Sequence, residues 1–239
     1  MIGAVLWRVA LLAVAGLAIF VQLDRQSERY APLASNVPDI LRGSSQAIVA
    51  ANAVSGDDAA LGLAEARQLV LRRPLPAENL RLLAQAQVAA GLEEEGSLTV
   101  QYAAQRGWRD PLAQEAMLRL AIAAGDRGEA ARRYTALFLR RDTSDALLVE
   151  LGGPIFAGSA SEGRDALINI VSGADRWQRQ FLRRGARVIP AEAFEEIVRG
   201  AAARGTQFDC TELATSARVV SSSDTSAGHT LEEIVAEAC

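Results

Sequence analysis

A repeat with a period of 34 residues constrains this chain more than anything else in it. Ala89-Ala90-Gly91 returns as Ala123-Ala124-Gly125, 34 residues on. Leu71-Arg72-Arg73 returns two periods later as Leu139-Arg140-Arg141, and Arg106 holds the intermediate place. A period of this length with small residues at its turns describes one supersecondary unit copied along the chain. Such a unit cannot bury its apolar face alone, so the expected architecture is a stack of helical hairpins.

Proline, glycine and capping residues set the expected hairpin ends. Val37, Ile40, Leu41, Ser44, Ala47, Ile48, Ala51 and Val54 share one helical face, and Pro38 fits the first turn of that helix. Ser55-Gly56 ends it. Asp57 or Asp58 caps the return helix, which turns Leu63, Ala66, Leu69 and Val70 inward and stops at Pro74 and Pro76. The second hairpin pairs a helix over 77–90, with Leu80, Leu83, Ala84 and Val88 inward, with one over 93–106, with Gly96, Val100 and Ala103 inward. The third opens at Asp110-Pro111, a cap followed by proline at the first helical position. Its inward residues are Leu112, Ala116, Met117, Leu120 and Ala124, and those of its return helix are Ala130, Ala131, Tyr134, Leu137 and Phe138.

These residues resemble the tetratricopeptide (TPR) family. There a small residue ends the first helix, another follows about five places on, an aromatic about nine on, and proline closes the unit. Gly125, Ala130 and Tyr134 match those places, Gly91 and Gly96 match with Val100 at the aromatic position, and Pro74 fits the stop. The family's Trp-Leu-Gly-Tyr signature is absent, so the match over 38–142 is TPR-like. The resemblance implies a right-handed helical solenoid whose concave face binds other proteins or peptides. More loosely, on the Trp177, Phe181 and Leu182 pattern, the chain is similar to anchored TPR-like proteins of alphaproteobacterial type that accompany envelope or exopolysaccharide genes.

Before the repeats, residues 2–23 are apolar apart from Arg8, and about twenty residues at 1.5 Å each span a bilayer. Arg8 lies beside Trp7 near the amino end, where both suit the interface. A cleaved signal peptide is the rival. Gln22-Leu23-Asp24-Arg25 lacks the small residues a peptidase needs, so the run is read as a retained anchor. Arginines flank it on both sides and leave its orientation open. Two late cysteines, Cys210 and Cys239, favour an oxidising, periplasmic side over the cytoplasm, and there they are candidates for a bridge. The expected location is therefore the bacterial inner membrane, single-pass.

After Asp142 the period fades. Short helices are expected over 144–151 (ended by Gly152-Gly153-Pro154), 162–171, 174–187, 190–204, 211–220 and 231–238, with a serine-rich loop over 221–229. The expected layout is an anchor over 1–23, a polar linker over 24–36, TPR-like repeats over 37–142 and a degenerate helical cap over 143–239. The fold class is all-α.

The chemistry in the sequence is sparse. All 25 basic residues are arginine, which suits bidentate contacts and equally follows from a biased codon supply. The absence of lysine removes Schiff-base and P-loop chemistry. A net charge of −4 argues against nucleic acid as a partner. His229, the only histidine, lies near Asp224 and several serines, but without a nucleophile elbow the group reads as a polar loop. Glu93, Glu94 and Glu95 read as first-turn acids that offset a helix dipole. No cofactor, metal site or enzymatic activity is expected.

The expected partner-contact residues are Arg72, Arg106 and Arg140, which recur once per unit, together with Trp108 in a turn between hairpins and Arg176, Arg179 and Arg183 in the densest basic run. Cations near helix carboxyl ends explain the first three equally. Glu192, Glu195 and Glu196 on the next helix explain the last three by internal charge matching. Tyr102 and Tyr134 are further aromatic candidates, Tyr134 being placed in the core by its position in the repeat. The function expected is a scaffolding subunit that holds a protein partner in a membrane complex of the envelope, with direct binding of an anionic glycan or polymer as the alternative.

Overall fold

The computed structural model describes residues 2–173 and 175–239. Met1, the first residue of the expected anchor, and Ala174, the expected start of one helix, lie outside them. All regular structure among the described residues is helical, and the chain divides into two compact units, 1–107 and 108–239.

The first unit begins with α1 (Ile2–Ser27), the one described helix long and apolar enough to cross a membrane. Two 3-10 turns, Ala31–Asn36 and Asp39–Leu41, lead to α2 (Ser45–Val54), α3 (Ala59–Arg72), α4 (Ala77–Ala89) and α5 (Glu93–Arg106). α2 packs on α3, α3 on α4 and α4 on α5. Its buried apolar residues are mostly alanine: Ala50 and Ala66, Ala77, Ala84 and Ala86, Ala103 and Ala104, with Leu69 and Val100 among them.

The second unit holds α6 (Pro111–Ala123), α7 (Arg127–Phe138), α8 (Asp145–Phe156), α9 (Glu162–Ser172), α10 (Asp175–Val188), α11 (Ala191–Ala203), α12 (Cys210–Ser221) and α13 (Thr225–Ala238). Helices α7, α9, α11 and α13 follow one another in one layer, and α6, α8, α10 and α12 in a second. One core runs through both layers, from Leu118 to Ile234. Its aromatic centre is Tyr134, set edge-on to Phe156 at 5.2 Å, and Phe181, stacked on Phe194 at 5.1 Å.

The turns explain the period. Gly91 and Gly125 both take positive φ, +78° and +75°, where a side chain is strained. After each, the chain closes the same cap. Leu92 N donates to Gln87 O and Asp126 N to Ala121 O, while the glycine N–H reaches the carbonyl three residues back.

Several expectations are corrected. The polar linker over 24–36 is folded: Asp24, Ser27 and Ala34 are all buried. The helix expected from Val37 breaks into a 3-10 turn and α2, and Ile40 is 90% exposed. The cause is Asp24, whose carboxylate accepts from the N–H groups of Gly43, Ser44 and Ser45 and so starts α2 at Ser45. α8 does not stop at Gly152-Gly153-Pro154 but runs through to Phe156. Gly152 lies on the buried side of this helix, and a methyl group added to it would make contact at 3.4 Å with Tyr134 Oη and Val188 O. The serine-rich loop shrinks because Asp224 caps α13 through Ala227 N, so the helix begins at Thr225 and includes His229.

Inward faces also shift. α6 buries Ala113, Gln114, Leu118 and Ala121 and leaves Leu112 55% exposed. The bulk at this contact comes from Tyr134, Leu137 and Phe138 of α7, so α6 presents alanines to it. α4 buries Asn79 and Gln87 and exposes Val88. Those amides turn inward because Asn79 Nδ2 donates to Arg73 O at 2.8 Å and Gln87 Nε2 to Glu95 Oε2 at 3.2 Å.

The two units also divide the hairpins. The third hairpin, α6 and α7, lies in the same compact unit as the carboxyl-terminal helices, the division falling at Gly107/Trp108. The large side chains of α7 pack into the same core as Phe156 and Phe194, which draws that hairpin into the second unit.

Candidate functional site

The recurrent arginines are placed by the helix ends that carry them, and each makes the same bond. Arg72, at the end of α3, donates from Nη1 to Arg42 O at 3.1 Å. Arg106, at the end of α5, donates to Pro74 O at 2.9 Å. Arg140, just after α7, donates to Arg109 O at 2.7 Å. In each hairpin the arginine reaches the carbonyl of the segment entering the first helix, 30, 32 or 31 residues back. These carbonyls lie ahead of a helix start and have no intrahelical partner. The guanidinium therefore clasps the two ends of a hairpin together. Arg72 also donates to Gln46 Oε1 at 2.6 Å, and Arg140 grips Asp142 with two nitrogens. Sequence reasoning proposed a partner-facing ladder or dipole compensation. The structure places these three guanidinium groups in hairpin closure.

The basic run on α10 is divided. Arg183 makes a two-pronged pair with Glu212 of α12. Arg184 donates to the carbonyls of Phe138, Arg140 and Thr143 and to Asp145, joining α10 to the end of α7 and the start of α8. The expected match to α11 is not formed: Glu192 and Glu196 pair with Arg164 of α9, and Glu195 with Arg199 of its own helix. Arg176 and Arg179 are exposed and border a cleft of about 570 Å³ with Asp175, Gln178, Gln207, Phe208 and Asp209. Arg176 stacks on Trp177 at 4.5 Å. Two carboxylates share the rim with the two guanidinium groups, so the cleft has no anion-selective charge.

Trp108 is 57% exposed, with the Arg109 guanidinium over its ring at 5.1 Å. Tyr102 is 59% exposed and Tyr134 fully buried. The Tyr134 hydroxyl has no hydrogen-bond partner, and burial pushes the phenol well above its usual range. His229 is exposed on α13, with Nδ1 3.4 Å from Glu233. Among the described residues no group of three or more His, Cys, Asp or Glu side chains is placed to hold a metal ion. Cys210 and Cys239 form a disulfide, Cα–Cα 5.9 Å, that ties the end of α13 to the start of α12.

An apolar concavity lies in the first unit. It measures about 540 Å³ and is lined by Ala31, Pro32, Ala34, Ser35, Val49, Asn52, Ala53 and Leu61, with Arg42 and Glu65 at its edge. The Ala31–Asn36 turn forms one wall, and α2 and α3 form the other.

Sequence reasoning did not find the partners of three residues that organise the molecule: Asp24, Arg164 and Arg184. Arg164 is 2% exposed, donates to Phe156 O at 3.0 Å and pairs with Glu196. No local motif announces such long-range partners. For Asp24 a signal existed: a carboxylate directly after an apolar run, ahead of a Gly-Ser-Ser segment that needs a cap.

No family model matches this chain, and neither the curated proteins nor the solved structures searched contain a match to it.

Proposed function

We propose that this chain is a membrane-anchored scaffolding subunit, with TPR-like hairpins on the periplasmic side of a bacterial inner membrane, that holds a partner protein in an envelope assembly such as polysaccharide synthesis or export. The observation that carries the proposal is the joint between α1 and the hairpins. An apolar helix fit to span a bilayer is bonded through the buried Asp24 to the amino end of α2. Beside that joint lies an apolar groove of a size that takes a few side chains of a partner helix.

The alternative, an anionic glycan read by arginines, is weakened by the geometry. Arg72, Arg106, Arg140, Arg183 and Arg184 are engaged within the protein. The groove available in the first unit is apolar and not basic.

The test is site-specific photo-cross-linking in the native membrane, with the probe at Leu61 in the groove and, as reference, at Val149, which is 54% exposed. The proposal expects one membrane-complex protein to be captured from Leu61 and not from Val149. Capture of nothing but the protein itself from Leu61 would overturn it.

A further inference from the structure

The apolar run of α1 ends at Leu23, and Asp24 and Arg25 mark where it leaves the hydrocarbon. The 26 residues of α1 come to about 39 Å, against a hydrocarbon core of about 30 Å, so its last turns emerge while still helical. What happens there is set by contacts. Asp24 Oδ1 accepts from Gly43 N at 3.0 Å and from Ser45 N at 2.9 Å, and Oδ2 accepts from Ser44 N at 3.0 Å. Ser45 Oγ donates to the same carboxylate at 2.6 Å. Ser27 is buried and donates to Asp24 O. Both 3-10 turns pack against α1. The segment from Glu28 to Arg42 is therefore folded back against α1, and the chain that follows it is tied to Asp24 at the exit point of the helix.

This collar buries Ala34 and Val37 but leaves Ile40 90% exposed and Tyr30 61% exposed, with Leu33 half-buried between them. An isoleucine this bare is poorly placed in water and well placed in the outer hydrocarbon, and tyrosine suits the headgroup boundary. The charges of the collar balance: Arg25, Arg29 and Arg42 stand against Asp24, Glu28 and Asp39, with Asp39 and Arg42 paired.

We propose that the collar of Tyr30, Leu33 and Ile40 beds into the lipid interface around the exit of α1, so that the first unit is seated on the bilayer surface. The occupant to which the proposal commits is lipid, because this apolar face is continuous with the membrane-spanning helix α1. Since the collar is close to neutral, seating does not require anionic lipid. The inference rests on α1 spanning the membrane, and the test separates the two.

Nitroxide labels are placed at Leu12→Cys, Ile40→Cys and Asp57→Cys in the full chain, one at a time, in phosphatidylcholine vesicles with and without phosphatidylserine. Asp57 is exposed in the α2–α3 turn. Collision with oxygen, which concentrates in lipid, is compared with collision with a water-soluble nickel chelate. The proposal expects Leu12 and Ile40 both to favour oxygen, Ile40 less deeply, with Asp57 favouring nickel by at least several-fold and no dependence on phosphatidylserine. If Leu12 favours oxygen but Ile40 matches Asp57, seating is overturned and the anchor stands. If Leu12 also favours nickel, the span and the seating fail together. If Ile40 is shielded from both reagents, protein covers the collar and lipid seating is overturned.

Discussion

The two units solve the same packing problem with different materials. The second is held by a core with fully buried Tyr134, Phe156 and Phe194, around which two layers of helices close. The first has no buried aromatic side chain among its described residues, and alanine dominates its interior. An alanine removes little apolar area from water, at about 25 cal/mol per Å². The first unit makes up the difference with polar bonds: Asp24 on the start of α2, Gln46 to Glu65 at 2.6 Å, and the clasps of Arg72 and Arg106. Bulk spreads the stability of the second unit over many large side chains. Thin packing braced by side chains concentrates the burden on a few named residues.

The largest expected effect is in the second unit. Phe194→Ala removes a fully buried ring stacked on Phe181 and should destabilise that unit by about 3–5 kcal/mol. Denaturant unfolding followed by fragment-resolved amide exchange should show the loss in 108–239 and little change in 1–107. Reduction of the Cys210–Cys239 bridge, which closes a separation of 29 residues, should lower the stability of the same unit by about 3–4 kcal/mol in the chain-entropy model. Its check is the unfolding midpoint with and without reductant.

In the first unit, Asp24→Ala leaves the start of α2 without its acceptor and should cost about 1–3 kcal/mol. Exchange at Gly43, Ser44 and Ser45 should rise while α11 is unchanged. An effect as large in the second unit would break the comparison.

Acid should act through Glu196. Burial pushes its carboxyl up, but the Arg164 guanidinium and the Ala160 N–H outweigh that and hold it below the usual carboxylate range. A carboxylate depressed in the folded state contributes its full stability above its unfolded value, near 4.5, and loses it as the pH falls through the lower folded value. Glu196→Gln should therefore weaken the second unit at neutral pH by about 1–3 kcal/mol and flatten its loss of stability in acid, as read from unfolding midpoints across that range. The smallest effect belongs to Tyr134→Phe. The hydroxyl is buried without a partner, so its removal should be neutral or stabilising by up to about 1 kcal/mol, seen as an unchanged or raised melting midpoint.

Much of this fold is legible in the sequence. Gly91 and Gly125 mark turns because their backbone conformation excludes most side chains, and Asp110-Pro111 starts α6 because a cap and a fixed φ act locally. The faces of α7 and α11 are legible because each carries large apolar residues at helical spacing. The face of α4 is not, because Asn79 and Gln87 turn inward to bond a carbonyl and a carboxylate that no apolar periodicity records. The run of α8 through Pro154 to Phe156 is illegible because Gly-Gly-Pro favours a stop by local rules. Among the candidate site residues, the recurrence of Arg72, Arg106 and Arg140 was visible but its purpose was not. The carbonyls they hold lie about 30 residues away, and only the folded hairpin brings them within reach.

The contrast between a thin, polar-braced first unit and a bulky-cored second one is tested most directly by native-state amide exchange of the full chain in lipid vesicles, at increasing sub-denaturing concentrations of urea. The account predicts two cooperative classes that divide at Gly107/Trp108, with the helices of 108–239 opening at the higher free energy. A single class running through α5 and α6, or a first unit more protected than the second, would contradict it.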